Sequence, residues 1–101
     1  MTSSTTDVRT AVATAVRSVD ETLVVDLSDG RSLVVPLAWY PRLQHATAHE
    51  RSEWRLIAKG EGIHWPLLDE DISVEGLLAG RRSGESQASF HRWLESRTRH
   101  A

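Results

Sequence analysis

The chain contains no cysteine. That excludes a disulfide framework and any thiolate nucleophile or thiolate metal site, and it is compatible with a cytoplasmic setting. Lysine is nearly missing: Lys59 stands alone among twelve basic residues, the rest being arginine. Proline is held to three positions, Pro36, Pro41 and Pro66, so each has a positional meaning. Phenylalanine and tyrosine occur once each. No apolar run approaches the roughly 20 residues of a membrane-spanning helix. The opening stretch MTSSTTDVRT lacks an apolar centre, so a secretory signal is not expected and residues 1–10 read as a disordered leader. A complete Gly-rich phosphate fingerprint, a calcium-loop spacing and a Gly-x-Ser-x-Gly elbow are all missing, and Gly60 and Gly62 make at most a tight turn.

What remains is one small domain of 101 residues, 40% apolar and 26% charged, as expected of an ordinary globular chain. The four tryptophans matter most for its core, because each aromatic buries roughly 150–250 Å². The net charge of −2 is unevenly spread. Residues 81–101 carry five Arg and two Glu, giving +3, so residues 1–80 carry −5. An acidic body with a basic tail is a statement about association more than about fold.

Ala11 to Val19 reads as a first strand and Asp20-Glu21 as a turn. Thr22 to Leu27 and Arg31 to Leu37 form a hairpin. A three-residue loop with Gly30 at the positive-φ position pairs Val25 with Leu33 and Leu23 with Val35. This separates the faces better than a two-residue loop does. Pro41 suits the first position of a short helix over Arg42 to His45. Thr47-Ala48-His49-Glu50 has capping-box form and predicts a helix from Ala48 to Glu53. Trp54 to Lys59 alternates like a strand.

Gly60 to Gly80, GEGIHWPLLDEDISVEGLLAG, is the most organised stretch. It predicts a turn, then an extended Ile63-His64-Trp65 held by Pro66. Ser73 is expected to cap a helix over Val74 to Ala79, which Gly80 stops. Arg81 to Glu85 reads as a linker, and Ser86 to Arg97 as an amphipathic helix with Phe90, Trp93, Leu94 and Arg97 on one face.

The order SDGR, VPLAWYPRL, AT-x-x-ER-x-x-W-R-L and GIHWPLLDEDISVEGLLAG resembles domain-of-unknown-function family 2442, a group of small bacterial and phage domains, over residues 12 to 80. The resemblance implies a small α+β fold with an antiparallel sheet and short helices. It implies no catalytic residues. Relatives that sit beside a second small gene, in arrangements read as toxin–antitoxin pairs, and others joined to a helix-turn-helix domain imply a regulatory or partner-binding module. The tail from Arg81 lies outside the resemblance.

Asp69, Glu70, Asp71 and Glu75 are the most chemical-looking group. Such carboxylates bind Mg²⁺ or Ca²⁺ or divide acid and base work. Standing before a helix, they equally favour its dipole, and the latter reading is preferred. His64 has no second His at ligand spacing. His45 and His49 stand at i, i+4, but the break at Ala46-Thr47 spoils that geometry. Ser73 is a cap before it is a nucleophile. No catalytic, cofactor or metal site is therefore expected.

The reading is an α+β domain over residues 11–80 with an antiparallel sheet of four or five strands and short helices. A linker and C-terminal helix follow over residues 81–101. Gly30, Thr47, Glu50, Trp65, Pro66, Ser73 and Gly80 are expected to be structural. Trp39, Tyr40, Phe90, Trp93, Leu94 and Arg97 are the candidates for contact with a protein partner, the product of a neighbouring gene. Nucleic acid reached through that partner or the basic tail is the alternative, and a homo-oligomer is open. A metal-dependent enzyme or metal protein using the acids of residues 69–75, with Asp69, Asp71 and His64 at its centre, is the third reading.

Overall fold

Alternation of β-branched and polar residues builds the first half of the chain. The computed structural model describes residues 11–99; the expected leader lies outside them. Strands β1 (Ala13–Val19), β2 (Thr22–Leu27) and β3 (Ser32–Pro36) form an antiparallel sheet in that order. Leu23 pairs with Val35 and Val25 with Leu33, the register that a three-residue loop dictates. Gly30 adopts φ 93, and the Leu27 amide donates to the Arg31 carbonyl at 2.8 Å. Only a residue without Cβ takes that left-handed turn cheaply. Pro36 ends an edge strand, where its missing N–H costs nothing.

Pro41 starts helix α1 (Pro41–Gln44), and the Arg51 side chain closes it by donating to the Leu43 and Ala46 carbonyls at 3.1 and 2.7 Å. Thr47 and Glu50 cap helix α2 (Ala48–Ser52) reciprocally, at 3.1 and 2.8 Å. The predicted strand after it is shorter than its alternation suggests, β4 (Arg55–Ile57). Ala58, Lys59 and Gly60 then take φ 50, 57 and 89, a left-handed turn that ends the strand.

Strands β5 (Gly62–Trp65) and β6 (Glu70–Ser73) complete a second antiparallel sheet, ordered β4-β5-β6. The α+β class, the antiparallel pairing, the short helices and the terminal helix all stand. The strands divide into two sheets of three, however, because Asp69-Glu70-Asp71 is not a helix approach. Glu70 to Ser73 is a strand paired with β5, Trp65 opposite Glu70 and Ile63 opposite Ile72. The Pro66 turn folds the chain back on itself, and the Ile72 contact in the core outweighs the low strand preference of the acids.

Ser73 caps helix α3 (Val74–Leu78) by accepting from the Gly76 amide at 2.9 Å. Gly80 closes it in a Schellman arrangement. Its amide donates to the Leu77 carbonyl at 3.1 Å and the Arg81 amide to the Gly76 carbonyl at 2.9 Å. Helix α4 (Gln87–Arg99) follows.

One core serves both sheets. Val16, Leu23, Val25 and Val35 from the first meet Ile63, Trp65 and Ile72 from the second, with Leu43, Leu68 and Leu77 between. Trp65 is fully buried and its indole N–H donates to the Arg51 carbonyl at 3.1 Å. No helix among the described residues is long and apolar enough to cross a membrane.

Candidate functional site

The first requirement for a site is a place where polar groups converge, and β6 supplies it. Period-2 alternation sends Ile72 and Glu70 to the core side of the sheet, with Asp71 and Ser73 on the other. Glu70 therefore sits opposite Trp65, in an open groove of about 400 Å³ lined by Tyr40, Arg42, Asp69, Glu70 and the segment from Arg81 to Glu85. Burial pushes its carboxyl up to about 7; the Arg42 charge opposes this, and the charges of Glu85, Asp71 and Asp69 add to it. Among the described residues the Glu70 carboxyl has no hydrogen-bond partner of its own.

Arg42 is the hub of the groove. Its Nε donates to Glu85 Oε1 at 3.0 Å, its Nη2 to Glu85 Oε2 at 2.5 Å and its Nη1 to the Leu68 carbonyl at 2.8 Å. Both members of the pair are largely withdrawn from water, with side chains 15% and 13% exposed. The pair holds Glu85 below the ordinary carboxylate range through hydrogen bonding. The guanidinium of Arg42 also lies 5.3 Å from the centre of the Trp93 ring. Groove and terminal helix are thus one continuous structure.

The segment between α3 and α4 is strapped to the body as far as Ser83. The Tyr40 hydroxyl donates to the Arg81 carbonyl and the Ser83 amide to the Trp39 carbonyl, each at 2.9 Å. Gly84 follows, exposed and with open space where a Cβ would be. Beyond it, α4 rests on α1 and α2. Phe90 meets His45 edge-on at 5.2 Å and stacks with Trp93 at 5.8 Å. Arg97 lies 4.6 Å from the Trp93 ring centre and donates to both oxygens of Glu50, at 2.8 and 2.9 Å. Hydrogen bonding to Arg97 lowers the Glu50 carboxyl to about 2.

The expected contact residues therefore separate. Phe90, Trp93, Leu94 and Arg97 share one face of α4 and are half-buried against the body. Trp39 is half-buried beneath the Arg82 guanidinium, 5.1 Å from its ring centre. Tyr40 is corrected: it is 4% exposed and belongs to the core. A bulky ring beside a proline resembles a surface aromatic in sequence, but the Arg81 carbonyl satisfies its hydroxyl and lets it go inside.

Of the acids, only Glu75 stands in the first turn of α3. Asp71 instead faces His64 across the strand pair, with Oδ1 at 2.5 Å from Nδ1. Ser73 Oγ accepts from the Gly76 amide at 2.9 Å, the capping role expected of it. His45 spends its Nδ1 on the Pro41 carbonyl at 3.1 Å, and His49 lies on the separate helix α2. Among the described residues no three His, Asp or Glu side chains gather as a metal-ligand set. Arg42 and Glu85 had no signal in the sequence, since 43 residues separate them. Glu70 had one: the Glu-Asp-Ile-Ser alternation after a Pro turn has the period of a strand.

The structure is similar to a crystal structure of a protein of unknown function from Rhodospirillum rubrum, with TM-score 0.65 and 28% identity over 77% of this chain and 94% of that one. It is also similar to the solution NMR structure of an uncharacterised protein from Chromobacterium violaceum, with TM-score 0.67 and 25% identity over 89% of this chain and 84% of that one. No curated protein matches the chain significantly. The family model described as protein of unknown function (DUF2442) matches residues 13–83, both sheets and the strap up to the residue before Gly84, and the chain belongs to that family.

Proposed function

We propose that the chain is a non-enzymatic protein-binding module whose contact surface is the terminal helix and the acidic body beside it. The observation that carries this reading is the way α4 is held. None of its described side chains is fully buried, yet Phe90, Trp93 and Leu94 share one face. A 13-residue helix is marginal alone in water, so that face needs a surface. The body covers it only in part. The partner of best complementarity is a protein with a basic functional surface, which the −5 body would cover. The sharper form, an antitoxin-like partner to a toxin encoded by the neighbouring gene, rests on the family resemblance.

Co-expression of the neighbouring product with tagged full-length chain tests it. A stable complex at micromolar concentration, weakened at least tenfold by Trp93→Ala, is expected. No complex, or one indifferent to Trp93, overturns the reading. The nucleic-acid alternative is less supported, because Arg97 is committed to Glu50 and Arg42 to Glu85. It predicts binding of labelled DNA or RNA that falls steeply with salt.

A further inference from the structure

We propose that Glu70, Arg42 and Glu85 form a proton-sensitive latch that sets whether the terminal helix stays on the body. The inference rests on the reading that α4 carries the contact face, and adds how its availability is regulated.

Three geometric facts meet at the groove. Arg42 has its Nε and Nη2 on Glu85 and its Nη1 on the Leu68 carbonyl, so none of its donors bonds the Glu70 carboxyl on the groove wall. Glu85 is the first side chain after Gly84, so the Arg42–Glu85 pair fastens the helix at its hinge. Arg42 also lies over Trp93, so losing Glu85 loosens the aromatic contact too.

The sign follows from linkage. With the helix docked, burial beside Glu85, Asp69 and Asp71 disfavours the charged form of Glu70. With it undocked, the Glu85 charge leaves the groove and Arg42 is free to pair with Glu70, and both changes favour the charged form. The docked state therefore binds the proton more tightly, and raising pH through about 7 shifts the chain toward release. Other charged or titratable groups near this point are Tyr40 at the end of the turn before α1, Arg81 and Arg82 on the strap, and Arg92 on α4, which acts on Glu85. His45 touches Phe90, and His91 lies beside it. Glu50–Arg97 anchors the far end and stays ionised throughout this range.

The test follows the Trp93 indole and Gly84 amide NMR signals of the full chain from pH 5.5 to 9, with no partner present, so its failure is distinct from failure to find a partner. Glu85→Gln supplies the undocked reference. The expected result is movement toward that reference, with the docked-to-undocked ratio falling about tenfold per unit of Glu70 shift between the two states. Glu70→Gln should hold the docked signals across the range, and His45→Gln should leave the transition in place. The carboxyl carbon of Glu70 in the unsubstituted chain should titrate with the same midpoint as Trp93. Flat signals, a transition that survives Glu70→Gln or vanishes in His45→Gln, or two different midpoints would overturn the latch.

Discussion

Arg97 reaches back 47 residues to hold both carboxylate oxygens of Glu50, at 2.8 and 2.9 Å, while Glu50 Oε1 also accepts from the Thr47 amide. One carboxylate closes the start of α2 and anchors the far end of α4. Removing it therefore costs a cap and a tertiary tie together.

Glu50→Gln should destabilise the protein by about 1 kcal/mol at neutral pH, after allowing for solvent screening of a pair near the surface. The folded-state carboxyl titrates at about 2, below the ordinary 4.5. Its contribution is thus complete above about pH 4.5 and disappears as pH falls through about 2. Urea unfolding at pH 7 and pH 2.5 should show the difference between the two chains shrinking at the lower pH.

Glu70 predicts the reverse. Its carboxyl is raised from 4.5 to about 7, so the folded chain holds a proton the unfolded chain has lost. That penalty is absent below about pH 4.5 and grows as pH rises to about 7. Glu70→Gln should be near neutral at pH 4.5 and stabilising by about 1–2 kcal/mol at pH 8, once partial exposure is allowed for. Thermal unfolding at both pH values decides it; equal effects at the two would contradict the burial argument.

Gly60 is where the left-handed turn meets the other sheet. A Cβ there would lie 2.9 Å from the Ala13 carbonyl oxygen and 3.0 Å from Val12 Cβ, at φ 89. Gly60→Ala should cost about 2–4 kcal/mol, from overpacking and left-handed strain together. Gly84→Ala, with nothing within 4 Å, should cost far less. Denaturation midpoints of the two variants make the comparison.

Trp93→Ala and Trp65→Ala separate contact from core. Trp65 is fully buried, and its loss should cost about 3–5 kcal/mol. Trp93 is only partly buried against the core cluster, so its loss should cost about 1 kcal/mol or less in stability while undocking α4. Circular dichroism melting read beside amide exchange in residues 87–99 checks both.

The short-range features of this chain were legible in its residues. The hairpin register, the Thr47–Glu50 box, the Ser73 cap and the Gly80 stop each depend on side chains within a few positions of the backbone they satisfy, so local chemistry alone determines them. Three things were settled by tertiary structure, the first against a strand period too short to decide it alone. Glu70 to Ser73 became a strand because Ile72 could reach the shared core. Tyr40 went inside because a carbonyl 41 residues away met its hydroxyl. Two charges of the tail, Glu85 and Arg97, were spent on Arg42 and Glu50 of the body, through pairings that span more than forty residues. Contacts at that separation leave no period in a sequence, since they depend on where the folded chain returns and not on what stands nearby.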